Sequence, residues 1–133
     1  MKDTQQAKDY FKQDIYAVET TGIKIDTAYD GYAKCSLKIL PKHLNAMGYV
    51  MGGVIYTLAD FAFAVASNSD NKFCVTLSST ISYLNACKAN QIFAETYCEK
   101  SGRSTCFYTI KITDDKNNLI ANVNTVGHIS PKN

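Results

Sequence analysis

The residues best suited to chemistry lie between positions 43 and 60, where the chain reads His-Leu-Asn-Ala-Met-Gly-Tyr-Val-Met-Gly-Gly-Val-Ile-Tyr-Thr-Leu-Ala-Asp. Asp60 stands among Ile55, Leu58, Ala59, Phe61, Ala62 and Phe63. A carboxylate in such company is costly unless it is paired or reached by water. It is either a helix aspartate that points into a loop or caps a turn, or a catalytic carboxylate in a half-buried cleft. Gly52 and Gly53 precede the apolar run and open it. Glycines allow close approach to the backbone, and a helix N-terminus carries unpaired N–H groups. Such donors suit a carbonyl oxygen that becomes negative in a transition state. Asn45, seven residues before Gly52, has a side-chain amide that could serve the same oxygen or hold its own loop.

The elements that must position these groups follow from periodicity. Residues 4–18 place Ala7, Tyr10, Phe11, Ile15 and Val18 at helical spacing among polar residues, and Gly22 ends that helix. The alternation over 23–30 predicts a strand. Asp30-Gly31 predicts a type I′ hairpin turn into a second strand over 32–40, stopped by Pro41. From Val54 to Ser67 apolar residues occupy every face, so this helix is the buried axis of the domain. After the turn 68–71 the chain reads as strands over 73–86, 91–100, 104–113 and 119–129. One sheet curling round one buried helix satisfies that order, giving a single α+β domain over residues 1–133.

Composition narrows the partners. The chain has 133 residues, 46% of them apolar and 20% charged, enough for one core without staples. Of the 14 basic residues only Arg103 is an arginine, and net charge is +2, a poor endowment for reading nucleic acid. Five cysteines at spacings of 39, 13, 11 and 8 form no Cys-x-x-Cys pair and read as small buried apolar side chains. With only His43 and His128 to join them, no metal site is expected. Residues 1–20 hold seven charged side chains, and Asp60 interrupts the longest apolar stretch. A secretory signal and a membrane span are therefore not expected, and the chain reads as cytoplasmic. Phosphate-binding loops, dinucleotide fingerprints and the Gly-x-Ser-x-Gly elbow do not occur.

His43, Asn45, Gly48, Gly52, Gly53, Leu58 and Asp60 together resemble the signature of the PaaI-like group of hotdog-fold acyl-CoA thioesterases. The segments 76–84, 101–104 and 112–121 resemble that family's later strands and its Gly-Arg turn. The resemblance implies a six-stranded antiparallel sheet, in the order 1-2-4-5-6-3, wrapped around one long helix with a short N-terminal helix. It also implies homodimers, or tetramers of two dimers, with sites between subunits.

By the same resemblance Asp60 of one subunit is the general base or nucleophile. Gly52, or Gly53, and Asn45 of the facing subunit polarise the carbonyl, and Ser78 helps to hold the water. His43, Arg103 and Ser104 are expected to bind substrate, with Arg103 in the turn where the family meets nucleotide phosphates, and Met47, Tyr49, Met51 and Phe63 are expected, as soft apolar side chains, to form the acyl pocket. Coenzyme A enters only as part of the substrate, and no cofactor is implied. Met51 departs from the family, which places His there; methionine cannot orient Asn45 through a strong hydrogen bond. Two rivals keep the fold: a hotdog protein that binds acyl-CoA without turning it over, and a 3-hydroxyacyl dehydratase with His43 as its catalytic base.

Overall fold

The computed structural model describes residues 3–68 and 71–131, so Ser69 and Asp70 of the turn expected at 68–71 lie outside it. Helix α1 spans Thr4–Phe11. Asp3 caps it by accepting from the Gln6 amide at 2.8 Å, while the Gln6 side chain accepts from the Asp3 amide at 3.0 Å. The single helix expected over 4–18 is broken. At residues 12–15 the backbone tightens, with the Asp14 amide donating to the Phe11 carbonyl at 2.9 Å, and a π-helical turn then runs Tyr16–Thr21. The break lets Phe11 and Ala17 both face the core, which an unbroken α-helix would not allow six residues apart. It also leaves Ile15 exposed, contrary to the helical pattern. Gly22, at φ 98°, ends the turn.

Six strands follow the expected order closely: β1 Lys24–Tyr29, β2 Tyr32–Lys38, β3 Lys72–Tyr83, β4 Gln91–Ser101, β5 Thr105–Asp114 and β6 Leu119–Pro131. They form one antiparallel sheet in the order β1-β2-β4-β5-β6-β3. The hairpin between β1 and β2 is not type I′, because Gly31 takes a positive φ (84°) and Asp30 does not. The Gly31 amide instead donates to the Ala66 carbonyl at 2.9 Å, tying the turn to the end of the central helix.

That helix, α2, spans Gly52–Ser67 and lies against the sheet with Leu58, Ala59, Ala62, Phe63 and Val65 buried. Phe63 meets Tyr108 edge to face at 5.3 Å. Gly127 makes room for this packing: a β-carbon there would lie 2.8 Å from the Phe63 ring and 2.6 Å from Cys74 Sγ. Cys35, Cys74, Cys87 and Cys106 are buried thiols, and Cys98 is exposed. Burial and the neighbouring Cys74 push the Cys106 thiol up to about 12, which keeps it protonated.

The two sheet edges differ. Beside β1 sits α1, where the Thr4 hydroxyl accepts from the Ala28 amide at 3.1 Å. Among the described residues strand β3 pairs only with β6, and it carries Phe73, Val75 and Leu77 exposed, the last two 60% accessible each. An edge of that length and apolarity is normally paired or covered.

Candidate active site

The loop before α2 is held shut by its own backbone. The Met51 amide donates to the His43 carbonyl at 2.9 Å, and the Asn45 amide donates to the Tyr49 carbonyl at 2.8 Å. His43 is the buried peg of this loop. Its Nδ1 accepts from the Leu40 amide at 2.9 Å, so Nε2 carries the proton and donates to the Thr21 carbonyl at 2.8 Å. Expected among the substrate-binding residues, His43 has no ring nitrogen left for a substrate.

Asn45 holds its own loop, one of the two roles its sequence position allowed. Its Oδ1 accepts from the backbone amides of Met47 (3.0 Å) and Tyr49 (3.1 Å). Those two donors fix which end of the side chain is which. The Nδ2 donors have no partner among the described residues, and Asn45 lines the same cavity as Gly52, a space of about 420 Å³. Met51 is therefore not needed to orient Asn45.

Gly52 is the first residue of α2 and Met51 its N-cap, which offers no side-chain acceptor to the first turn. The N–H groups of Gly52 and Gly53 thus remain available, as helix geometry requires of a first turn without a cap. Tyr83 closes over Gly52: its hydroxyl donates to the Gly52 carbonyl at 2.9 Å, and a β-carbon at 52 would sit 3.2 Å from its ring. Glycine is needed here for the close approach of that ring. Met47, Tyr49, Ile55 and Leu84 give the cavity its apolar walls. Donors placed beside an apolar pocket suit a carbonyl oxygen that gains negative charge.

Asp60 lies elsewhere. Eight residues along α2 from Gly52, it is about 12 Å further up the axis. It opens into a separate cavity of about 320 Å³, shared with Asp14, Ile15, Tyr16, Thr57 and Ala64. The residue remains solvent-accessible in the single chain. Burial of its carboxyl, and then the like charge of Asp14, nevertheless push its pKa above the usual carboxylate range. A carboxylate raised in this way is a better proton acceptor than a free one.

The other expected site residues are scattered. Ser78 is exposed next to a bulge in β3 at Leu77, outside both cavities. Arg103 and Ser104 are exposed in the β4–β5 turn, where the Ser104 carbonyl accepts from the Ile129 amide at 2.8 Å. Met51 is exposed and Tyr49 half-buried, with Lys88 Nζ 4.8 Å from the Tyr49 ring centre. Phe63, expected to touch substrate, is 2% exposed and belongs to the core, because its ring fills the space beside Gly127. Tyr83, Asp14, Ile15 and Tyr16 were not anticipated. No motif marks them, and each reaches its partner only through the fold. Among the described residues no group of three His, Cys, Asp or Glu side chains is placed to hold a metal ion. Among the described residues no helix is long and apolar enough to cross a membrane.

Comparison with known proteins accords with this geometry. The pattern of the thioesterase superfamily matches residues 47–121. A putative esterase of Archaeoglobus fulgidus is 33% identical over 118 residues, covering 88% of this chain and 77% of its own. The acyl-coenzyme A thioesterase PaaI of Escherichia coli is 29% identical over 90% of this chain and 86% of its own. The structure of E. coli PaaI superimposes with a TM-score of 0.87 at 25% identity, covering 94% of this chain and 91% of that one. Smu.793 of Streptococcus mutans, solved bound to acetyl CoA, superimposes at a TM-score of 0.77 and 25% identity, over 83% and 90% of the two chains. Motif, strand order and helix placement therefore converge: this chain belongs to the thioesterase superfamily, as a hotdog-fold thioester hydrolase of the PaaI-like group.

Proposed function

We propose that the protein hydrolyses acyl-CoA thioesters at sites completed by two copies of the chain. The observation that carries this reading is the separation of its halves. Asn45 and Gly52 offer unpaired donors in one cavity, while Asp60 opens into another. A second copy, joined along the edge of β3, brings the Asp60 of one chain to the donors of its partner. The relatives named for acyl-CoA thioesterase activity, and the neighbour bound to acetyl CoA, support the substrate class.

In this mechanism the thioester carbonyl oxygen lies against Asn45 Nδ2 and the amide of Gly52, with Gly53 adjoining. Asp60 takes a proton from water held by Ser78, and the hydroxide adds to the carbonyl carbon. The tetrahedral oxyanion collapses, the C–S bond breaks, and CoA leaves as a thiolate that is then protonated. Thiolate leaves readily, so the reaction calls for no cofactor. Met47, Tyr49 and Met51 enclose the acyl group, and Arg103 and Ser104 meet the nucleotide phosphates. We place the reaction in the cytoplasm, where acyl-CoA is made and used. The dehydratase alternative needs His43 as a base, and both its ring nitrogens are engaged.

Thiol release from a panel of short, long and aromatic acyl-CoAs tests the proposal. Hydrolysis of at least one class is expected. Silence across the panel with acyl-CoA still bound would make this a binding protein instead.

The Asp60–Asp14 pairing predicts a pH effect. Asp60 works as a carboxylate, so kcat/KM should fall as pH drops through its raised pKa. The negative charge of Asp14 favours the protonated form of Asp60; Asp14→Asn should shift the acid limb of the profile to lower pH and leave the plateau kcat nearly unchanged. A limb that stays in place would separate Asp14 from the chemistry.

A further inference from the structure

A second kind of site lies on the far side of α1, independent of the thioester reading and sharing no lining residue with either cavity described above. Between α1 and β1 is a hollow of about 420 Å³, within the range of small-molecule pockets, roughly 300–1,000 Å³. Its floor is apolar, formed by Phe11, Val18, Ile23 and Ile25, of which Phe11, Ile23 and Ile25 are buried core residues. Its rim is cationic. Lys8 in α1 and Lys12 at its C-cap stand four residues apart, and Lys24 at the start of β1 lines the same hollow. None of the three ammonium groups has a hydrogen-bond or ion-pair partner among the described residues.

The single carboxylate in the hollow, Asp26, is the residue bulged out of the β1–β2 register. Its Oδ1 accepts from the buried Ser36 hydroxyl at 3.1 Å. Three cations against one carboxylate leave an excess of positive charge directly above an apolar floor. Lysines at i and i+4 repel one another, and a shared anion relieves that repulsion. The complement to this arrangement is one negative head on one hydrocarbon tail.

We propose that the hollow between α1 and β1 binds a free medium-chain fatty acid, its carboxylate held by Lys8, Lys12 and Lys24 and its alkyl chain laid on Phe11, Ile23 and Ile25. Asp26 favours a singly charged head over a polyphosphate. A concave pocket of this size admits one chain, whereas a bilayer surface needs an outward apolar face.

Calorimetric titration of the full chain with decanoate, decanol and inorganic phosphate tests the proposal. Saturable binding of decanoate is expected, weakening as salt is raised and about tenfold tighter than decanol, with phosphate inert. The exposed triple substitution Lys8→Gln, Lys12→Gln, Lys24→Gln should weaken decanoate by about tenfold. Its circular dichroism and thiol release from acyl-CoA should be unchanged. Equal affinity for decanol, or undiminished decanoate binding by the triple variant, would overturn the site. So would decanoate binding lost in Asn45→Ala and retained in the triple variant, which would place the acid in the thioester cavity. Co-sedimentation with phosphatidylglycerol vesicles in the absence of decanoate binding would assign the lysines to a membrane surface and overturn it equally.

Discussion

Asp60→Asn is expected to lower kcat for acyl-CoA hydrolysis by about 10²–10⁴ while the protein still folds and binds a substrate analogue. The size follows from the role. Asparagine keeps the shape of the side chain and can still hold a water molecule, but it cannot take the proton that turns water into a nucleophile. Asn45 and Gly52 lie in a different cavity and are untouched, so KM should move far less than kcat.

The same substitution should raise the thermal midpoint at neutral pH. Asp60 has a folded pKa above its unfolded one, so the folded chain holds the proton more tightly. The corresponding stability is fully present below the unfolded pKa and is lost as pH rises through the raised value. At neutral pH the wild type carries a charge crowded by protein and by Asp14, whereas the Asn variant does not. Loss of turnover with a gain in melting temperature would mark a site whose function opposes its stability. Unchanged turnover would remove Asp60 from the mechanism.

The second large effect concerns the assembly. Asn45→Ala removes an oxyanion donor and should cost about 10²–10³ in kcat. If each site takes Asp60 from one chain and Asn45 from its partner, two inactive variants can repair one another. Co-refolding Asp60→Asn with Asn45→Ala in equal amounts makes half the dimers mixed, and each mixed dimer has one intact site. Activity should therefore return to roughly a quarter of wild type, far above either parent. The distance along α2 makes this test decisive. With Asp60 about 12 Å beyond Gly52 on one rigid helix, a single chain cannot bring both to one carbonyl. Failure to recover, with mixed dimers present by mass, would mean that Asp60 and Asn45 do not serve one site.

The edge of β3 is the natural seam for such a pair. Thr4 and α1 cover β1 at the opposite edge, while at β3 the Asn68 side chain engages the Cys74 amide and carbonyl and Val75 and Leu77 stay exposed. Joining two such edges buries apolar surface that a lone chain leaves in water.

Much of this protein was legible in the order of its residues, because the signals are local. The all-round apolar run after Gly52-Gly53 specified a buried helix, alternation specified strands, and the spacing from His43 to Asp60 carried the family and, through it, the strand order. What tertiary structure alone decided are the partners of each group. His43 looked available until Thr21 and Leu40 claimed its two nitrogens. Met51 seemed to leave Asn45 loose, yet the amides of Met47 and Tyr49 hold it. Phe63 seemed a pocket wall until Gly127, 64 residues later, opened a place for it in the core.

The N-terminal pattern was misleading for the same reason. Ala7, Phe11 and Ile15 keep helical period, but packing against Phe61 at 5.8 Å and the burial of Ala17 reward a break at residues 12–15. That break is what brings Asp14, Ile15 and Tyr16 to Asp60. Periodicity reports which side of an element faces the core, since that depends on neighbours three or four residues away. Which carboxylate meets which, and which amide is left free to donate, depends on residues dozens of positions apart, and only the closed fold brings those together.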